Sequence, residues 1–333
     1  NGILFVREFG ITIALPQGQK DQSITIRLIE GETYHIETNT AFFGDGLWNN
    51  ISEAIVKFSS LYPSYYVNDK TLEQEIFKID WVREIVNSFL SNISYIGPDR
   101  RQGLDEYYFS GKHKNVGVSG EYVAQILEEY VNEPTEFFKI VEKEEKSIYK
   151  PAAGSLVEAV RYWMCEVFGV ATDIKAIKEN ETYKIILTTK SGLLISIKHV
   201  GFGISQLLPI VVEGLRMSTS GVLIIEQPEI HLHPKIQSLL YDFLYGLTLQ
   251  GKSVIVETHS SDFITRMRRR IAEDELNEMA HRINLTFIEN DIFRTIQLDD
   301  FGTLDYYPED FIEQSNVELR SIIKAQMGKR KNK

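Results

Sequence analysis

The segment Gly221–Pro234, Gly-Val-Leu-Ile-Ile-Glu-Gln-Pro-Glu-Ile-His-Leu-His-Pro, constrains the fold more than any other because it sets an acid at the end of an uninterrupted apolar run. Val222 to Ile225 are β-formers without polar alternation, the pattern of a central parallel strand covered on both faces. Glu226 then emerges at the carboxyl end, the edge at which open α/β sheets bind ligands. A carboxylate there is placed to hold Mg²⁺ through its own oxygens or a bound water. An apolar run followed by an acid is also an ordinary structural pattern, so the flanking segments decide.

Upstream, Val200-Gly201-Phe202-Gly203-Ile204-Ser205-Gln206 offers two glycines where backbone can approach a ligand, and Ser205 is expected to cap the helix that follows. Leu207, Leu208, Val211, Val212 and Leu215 give that helix an apolar stripe, with Pro209 expected near its first turn. A helix N-terminus preceded by glycines attracts anions. Downstream, Ser253 to Val256 predicts a second buried strand, ending in Glu257-Thr258-His259-Ser260-Ser261. A histidine at such a strand end is more often structural than catalytic.

Order and spacing join the three segments: Glu226 follows Ser205 by 21 residues, and His259 follows Glu226 by 33. On these motifs the chain resembles the second half of an ABC-type ATPase of the SMC, RecF and OLD class. The resemblance implies a fold, an activity and a site. Gly201, Gly203 and Ser205, with Gln206 beside them, correspond to the signature turn, which binds the γ-phosphate of ATP held by a partner protomer. Glu226 corresponds to the Walker B acid serving Mg²⁺, His231-Leu232-His233-Pro234 to the D-loop and His259 to the switch that senses the γ-phosphate. The wording Glu-Gln-Pro-Glu-Ile-His-Leu-His-Pro is similar to a prokaryotic AAA family subgroup found in antiphage defence, in Septu-type and retron-associated systems. Tyr95-Ile96-Gly97-Pro98-Asp99-Arg100 and Tyr306 to Phe311 resemble further segments of that subgroup. Arg100, following a Gly-Pro turn, could reach a phosphate or a dimer interface, or pair with an acid.

Two departures stand against the resemblance. No G-x-x-x-x-G-K-[ST] phosphate loop occurs in the 333 residues, and alternating strands are expected almost at once, at Ile11 to Leu15 and Ser23 to Ile29. The expectation is that the phosphate-loop segment precedes Asn1; the rival is a degenerate ATPase. The second departure is Gln227, which stands where a glutamate base is usual; an amide orients water but cannot take its proton. Hydrolysis is then expected to be slow unless Glu229 or His259 supplies the base.

The single cysteine, Cys165, excludes a disulfide framework or a Cys-based zinc site within the chain, and no apolar stretch is long enough to span a membrane. The expected setting is cytoplasmic. A net charge of -11 confines any contact with DNA or other nucleic acid to a local patch, with Arg266-Met267-Arg268-Arg269-Arg270 weighed as a phosphate-contacting or solvated helix face. His231 and His233 would face one metal only if the segment were extended.

The expected fold is α/β: an ABC-type ATPase core combining a parallel sheet with an antiparallel β region, a helical insertion and a small C-terminal α/β extension. By residue, the β-rich part of the core covers 1–47, the mainly helical insertion 48–180, the core proper 181–280 and the extension with its basic tail 281–333. Within the insertion, Thr71 to Leu90 is expected as one long helix and the charged Glu142 to Lys146 run as a solvated helix surface. The implied assembly is a homodimer or higher homo-oligomer closed by composite ATP sites. It would act as sensor or scaffold for a separate nuclease or other effector, since the residues after His259 lack a convincing acidic cluster for a nuclease. The alternatives are a non-hydrolysing structural subunit and a DNA-repair ATPase acting on DNA ends.

Overall fold

The computed structural model describes the backbone of the strands lying between residues 8 and 78, residues 90–307 apart from 144–145 and 290–291, and residues 321–324. The chain divides between Ser91 and Asn92 into two compact units. The first carries strands β1 (Glu8–Ile13), β2 (Gln22–Glu30), β3 (Thr33–Thr38), β4 (Asn50–Ser59), β5 (Tyr62–Val67) and β6 (Ile76–Lys78). They form one six-stranded sheet in sequence order, each strand antiparallel to the next. The alternation of Ile24, Ile26 and Leu28 suits a strand of such a meander.

The second unit is built on a three-stranded parallel sheet. Its central strand β14 (Val222–Glu226) lies between β7 (Ile93–Ile96) and β15 (Ser253–Glu257). Helix α3 (Phe202–Arg216) leads into β14, α4 (Pro234–Thr248) crosses from β14 to β15, and α5 (Ser261–Glu273) follows β15. Leu223 and Ile225 are fully buried and join a core with Leu207, Leu208, Val211 and Phe243. The opposite face is more open than expected. Val222 and Ile224 are half-buried and Ile255 is 56% exposed, so β14 alternates where its uniform sequence predicted burial on both faces. A run of four apolar residues fixes strand identity but not how many of its faces are covered.

Around this sheet lie α1 (Val123–Glu129), the hairpin β9 (Pro134–Lys143) and β10 (Lys146–Ser155), and α2 (Leu156–Arg161), which runs into a π-helical turn at Tyr162–Val167. An antiparallel sheet combines β11 (Asp173–Glu179), β12 (Thr182–Thr188) and β13 (Leu194–Ser196), with β8 (Tyr107–Tyr108) also on β12. A hairpin turns around Lys190-Ser191-Gly192, with Gly192 at a φ of +82°. A last hairpin joins β16 (Leu285–Glu289) to β17 (Ile292–Ile296). The resulting class is α/β, a parallel sheet with helices plus antiparallel strands.

Several local expectations are corrected. Ile76–Lys78 is a strand on β5, not part of a helix from Thr71 to Leu90; residues 68–75 and 79–89 lie outside the described residues. Three residues are too few to show a period, and pairing decided their conformation. Among the described residues, the span 48–180 holds β4 to β11 against two short α-helices, a helical turn at 90–91 and a π turn, so what is described there is not mainly helical. The charged run lies at the β9–β10 connection, not on a helix. Helix α3 begins at Phe202 with Gly201 at its N-cap, which puts Ser205 inside the first turn and Pro209 in the helix interior. Of the C-terminal module, 308–320 and the basic tail lie outside the described residues.

Lys252, in the turn before β15, is buried and anchors α3. Its Nζ donates to the carbonyls of Gly214 at 2.8 Å and Leu215 at 3.0 Å, where a helix C-terminus favours a cation. Burial pulls its pKa from 10.5 down to about 8, against the opposing pull of Glu213. The folded value lies below the unfolded one, so between these two limits the unfolded chain holds more protons and stability rises with pH. The cost of charging Lys252 is absent above 10.5 and fully present below 8. In urea denaturation, the stability of the parent relative to Lys252→Met should therefore increase from below pH 8 towards 10.5. A flat difference across that window would contradict a desolvated lysine.

Candidate functional site

Parallel pairing brings the ends of β7, β14 and β15 to one edge. Glu226 pairs in register with Glu257, and Ile225 with both Ile96 and Val256. Glu226 is half-buried, and its Oε1 accepts the Tyr95 hydroxyl at 2.9 Å. That hydrogen bond, then burial and the charges of Glu226 and Glu257, raise the Tyr95 pKa and keep the phenol a donor. One acid, a neighbouring acid and a phenol thus share the exit of the sheet.

Beyond Glu226 the chain turns sharply. Gln227 adopts a left-handed φ of +44°, and its N–H donates to the Glu257 carbonyl at 2.8 Å. Arg100 holds this turn from below. It is 2% exposed, and its guanidinium donates to the carbonyls of Gly97 at 3.0 Å, Glu226 at 3.1 Å and Gln227 at 3.0 Å. Burial pulls its pKa down to about 10, with the Glu229 charge opposing. Five donors in a rigid fork suit this task, which a lysine's single ammonium could not fill in the same geometry.

The following segment packs on the Gly201–Gly203 turn of its own chain. His231 also has a left-handed φ, +63°, and its ring meets Phe202 edge to face at 4.6 Å. A Cβ on Gly203 would lie 2.5 Å from the His231 carbonyl oxygen, so only glycine permits this approach. Gly201 is different: a Cβ there would meet nothing within 4 Å. No side chain caps α3 and no acid stands in its own first turn, so no group of that turn offsets its N-terminal dipole. His233 caps α4 instead, its Nδ1 accepting from Lys235 N at 3.2 Å, with Pro234 in the first turn.

The segment after β15 is tied to the same edge. Glu229 accepts the Thr258 hydroxyl on Oε2 at 2.8 Å and the His259 N–H on Oε1 at 2.7 Å. Ser260 caps α5 by accepting Phe263 N and donates its hydroxyl to Gln237 Oε1 at 2.6 Å. The Gln237 amide in turn donates to the Leu232 carbonyl at 2.9 Å. The His259 side chain stays at the surface.

Glu226, Gln227, Glu229, His231, His233 and His259 therefore lie on adjoining loops at one sheet edge, with Gly201 and Gly203 packed beside them. Three expected ligand contacts turn inward. Arg100 serves backbone carbonyls. Gln206, 1% exposed, donates to the Arg100 carbonyl at 2.7 Å. Ser205 does not cap α3; it is buried and donates its hydroxyl to the Phe202 carbonyl at 2.7 Å. The His231–His233 metal pair is excluded by the left-handed backbone at His231 and the hydrogen bond at His233 Nδ1. Tyr95, Glu257 and Thr258 fell within segments marked from sequence, but neither they nor Gln237 were given a site role. Only Glu257 had a signal, its place at the end of β15; the others look like ordinary polar positions.

The arginine run on α5 is largely spent internally. Arg266 and Arg270 both bind Asp242, at 2.6 Å and 2.7 Å, and Arg270 and Asp242 are almost completely buried. Arg268 donates to the Gly302 carbonyl and the Tyr307 hydroxyl, and Arg269 pairs with Glu273. The run is structural, neither a solvated face nor a free phosphate-binding one.

The α/β fold thus gathers these acids and loops at the edge where open α/β sheets bind ligands. A model of the AAA ATPase domain family matches residues 45–264, more than half of the chain, and the chain belongs to that family. No curated protein matches the chain. Family membership supports ATPase activity and implies nucleotide binding, usually with Mg²⁺. The residues at the strand exit fit the metal. Glu226 offers a hard oxygen donor, with Glu257 alongside it. No group of three or more His, Cys, Asp or Glu residues able to hold a metal occurs among the described residues. Mg²⁺ suits this, since it takes one or two carboxylates and completes its shell from phosphates and water.

Proposed function

We propose that this chain is an ABC-type ATPase subunit that binds Mg-ATP between two copies of itself and hydrolyses it slowly. The observation that carries the reading is Glu226 at the exit of the central parallel strand, with one oxygen held by Tyr95. In this reading Glu226 serves Mg²⁺, and the metal, when bound, neutralises phosphate charge. The uncapped N-terminus of α3 at Gly201 and Gly203 receives the γ-phosphate of nucleotide held by the partner copy, through backbone N–H groups. His259 presents its imidazole to that phosphate. Gln227 orients water without accepting its proton, so binding outlasts turnover.

The resemblance of Glu226 to Pro234 to ATPases of antiphage systems supports a role as dimeric sensor or scaffold controlling a separate nuclease or other effector. A cytoplasmic setting fits that role; no helix among the described residues is long and apolar enough to cross a membrane. The DNA-repair alternative loses ground because Arg266, Arg268 and Arg270 are engaged internally.

The test is Mg-ATP binding and turnover by the full-length protein. Glu226→Ala should abolish Mg²⁺-dependent ATP binding while leaving the fold intact, because the side chain stands at the strand end, outside the apolar core. Unchanged affinity would exclude the assignment. In the same assay Gln227→Glu should raise turnover by about 10²–10⁴, the range of a positioned general base. Turnover no faster than the parent's would place the base elsewhere.

A further inference from the structure

Glu229 is the most fully engaged carboxylate at the sheet edge. Its two oxygens hold two different donors of one segment, the Thr258 hydroxyl and the His259 N–H, across 29 and 30 residues of sequence. We propose that Glu229 is the positioning residue of the His259 segment, a latch that fixes the backbone carrying the imidazole, and that it does not act as a base.

The need for a latch follows from where β15 stops. Glu257 is the last residue of the parallel ladder, paired with Glu226, so the His259 N–H has no strand partner. Glu229 supplies one, through a charge-assisted bond that is stronger than a neutral pair. The Thr258 hydroxyl that donates to Glu229 also accepts Ser260 N at 3.1 Å. Ser260 Oγ reaches Gln237, and Gln237 returns to the Leu232 carbonyl in the segment that begins at Glu229. A closed ring of hydrogen bonds therefore holds His259 by its backbone and leaves its ring free. Chemistry argues against a base in the same group. Protonating Glu229 during turnover would weaken the bonds that keep the segment in place.

The latch is a property of the fold; its effect on catalysis rests on the nucleotide reading above, and two arms of one experiment separate them. In the first, hydrogen–deuterium exchange of the full-length protein without nucleotide follows the peptide covering 257–261. Glu229→Ala should speed exchange there by about tenfold or more, the loss of a charge-assisted hydrogen bond, with α3 unchanged as a control on folding. Glu229→Gln, whose amide oxygen can accept only one of the two former bonds without pressing its NH₂ on the other donor, should fall between. Unchanged exchange in Glu229→Ala overturns the proposal. In the second arm, Mg-ATP turnover by both variants should show a fall in kcat with KM within about twofold, and Glu229→Gln should keep the acid limb of the pH profile. Loss of that limb would identify Glu229 as the base and also overturn the proposal. Absence of turnover in the parent counts against the nucleotide reading alone, and the exchange arm still decides the latch.

Discussion

Parallel pairing of β14 on both sides is the constraint on which the site depends. Because β7 and β15 run the same way as β14, all three strands end at one edge, and their loops must converge. Register sets Glu226 beside Glu257, and the Tyr95 side chain reaches from beside Ile224 to the Glu226 carboxylate. An antiparallel neighbour would have sent its loop to the opposite end of the sheet, and no carboxylate pair would exist.

Convergence leaves a backbone problem that buried polar groups solve. The exit turn contains two left-handed non-glycine residues, Gln227 and His231, and such conformations persist only where their surroundings hold them. Arg100 binds the Gln227 carbonyl from beneath, and the His231 carbonyl lies against Gly203. Gln206 links the Arg100 backbone to α3, and Lys252 fixes the far end of that helix. The Gly201–Ser205 turn, the exit of β14 and the Thr258–Ser260 segment are thus parts of one hydrogen-bonded body. The polar residues here position other groups, and few are left to touch a ligand directly.

Much of this was legible in the sequence, but unevenly. Val222 to Glu226 and Ser253 to Glu257 announced their strands because short apolar runs ending in an acid have few other uses. Pro234 suits a first helical position and marks the start of α4. What stayed hidden is long-range. Nothing local distinguishes an arginine that binds phosphate from one that binds carbonyls 126 and 127 residues away, as Arg100 does. Glu229 and Gln237 read as surface polar residues until their partners on another loop are known. The error over 48–180 has a different origin. Hairpins such as β9–β10 mix lysine and glutamate with apolar residues, and such composition suits a helix until pairing is seen.

The central claim is that two copies of the chain complete one ATP site, Glu226 from one and the N-terminus of α3 from the other. Gly201→Asp probes the second half without threatening the fold. Its Cβ would meet nothing within 4 Å, its backbone suits any residue, and aspartate is a favoured helix cap. The new carboxylate would occupy the anion site and repel phosphate. The decisive measurement is ATP-dependent dimerisation of full-length Gly201→Asp, of Glu226→Ala and of an equal mixture of the two. Neither variant should pair alone, while the mixture should form heterodimers, because one interface then joins an intact Glu226 to an intact Gly201. A mixture that pairs no better than either variant alone would contradict the account.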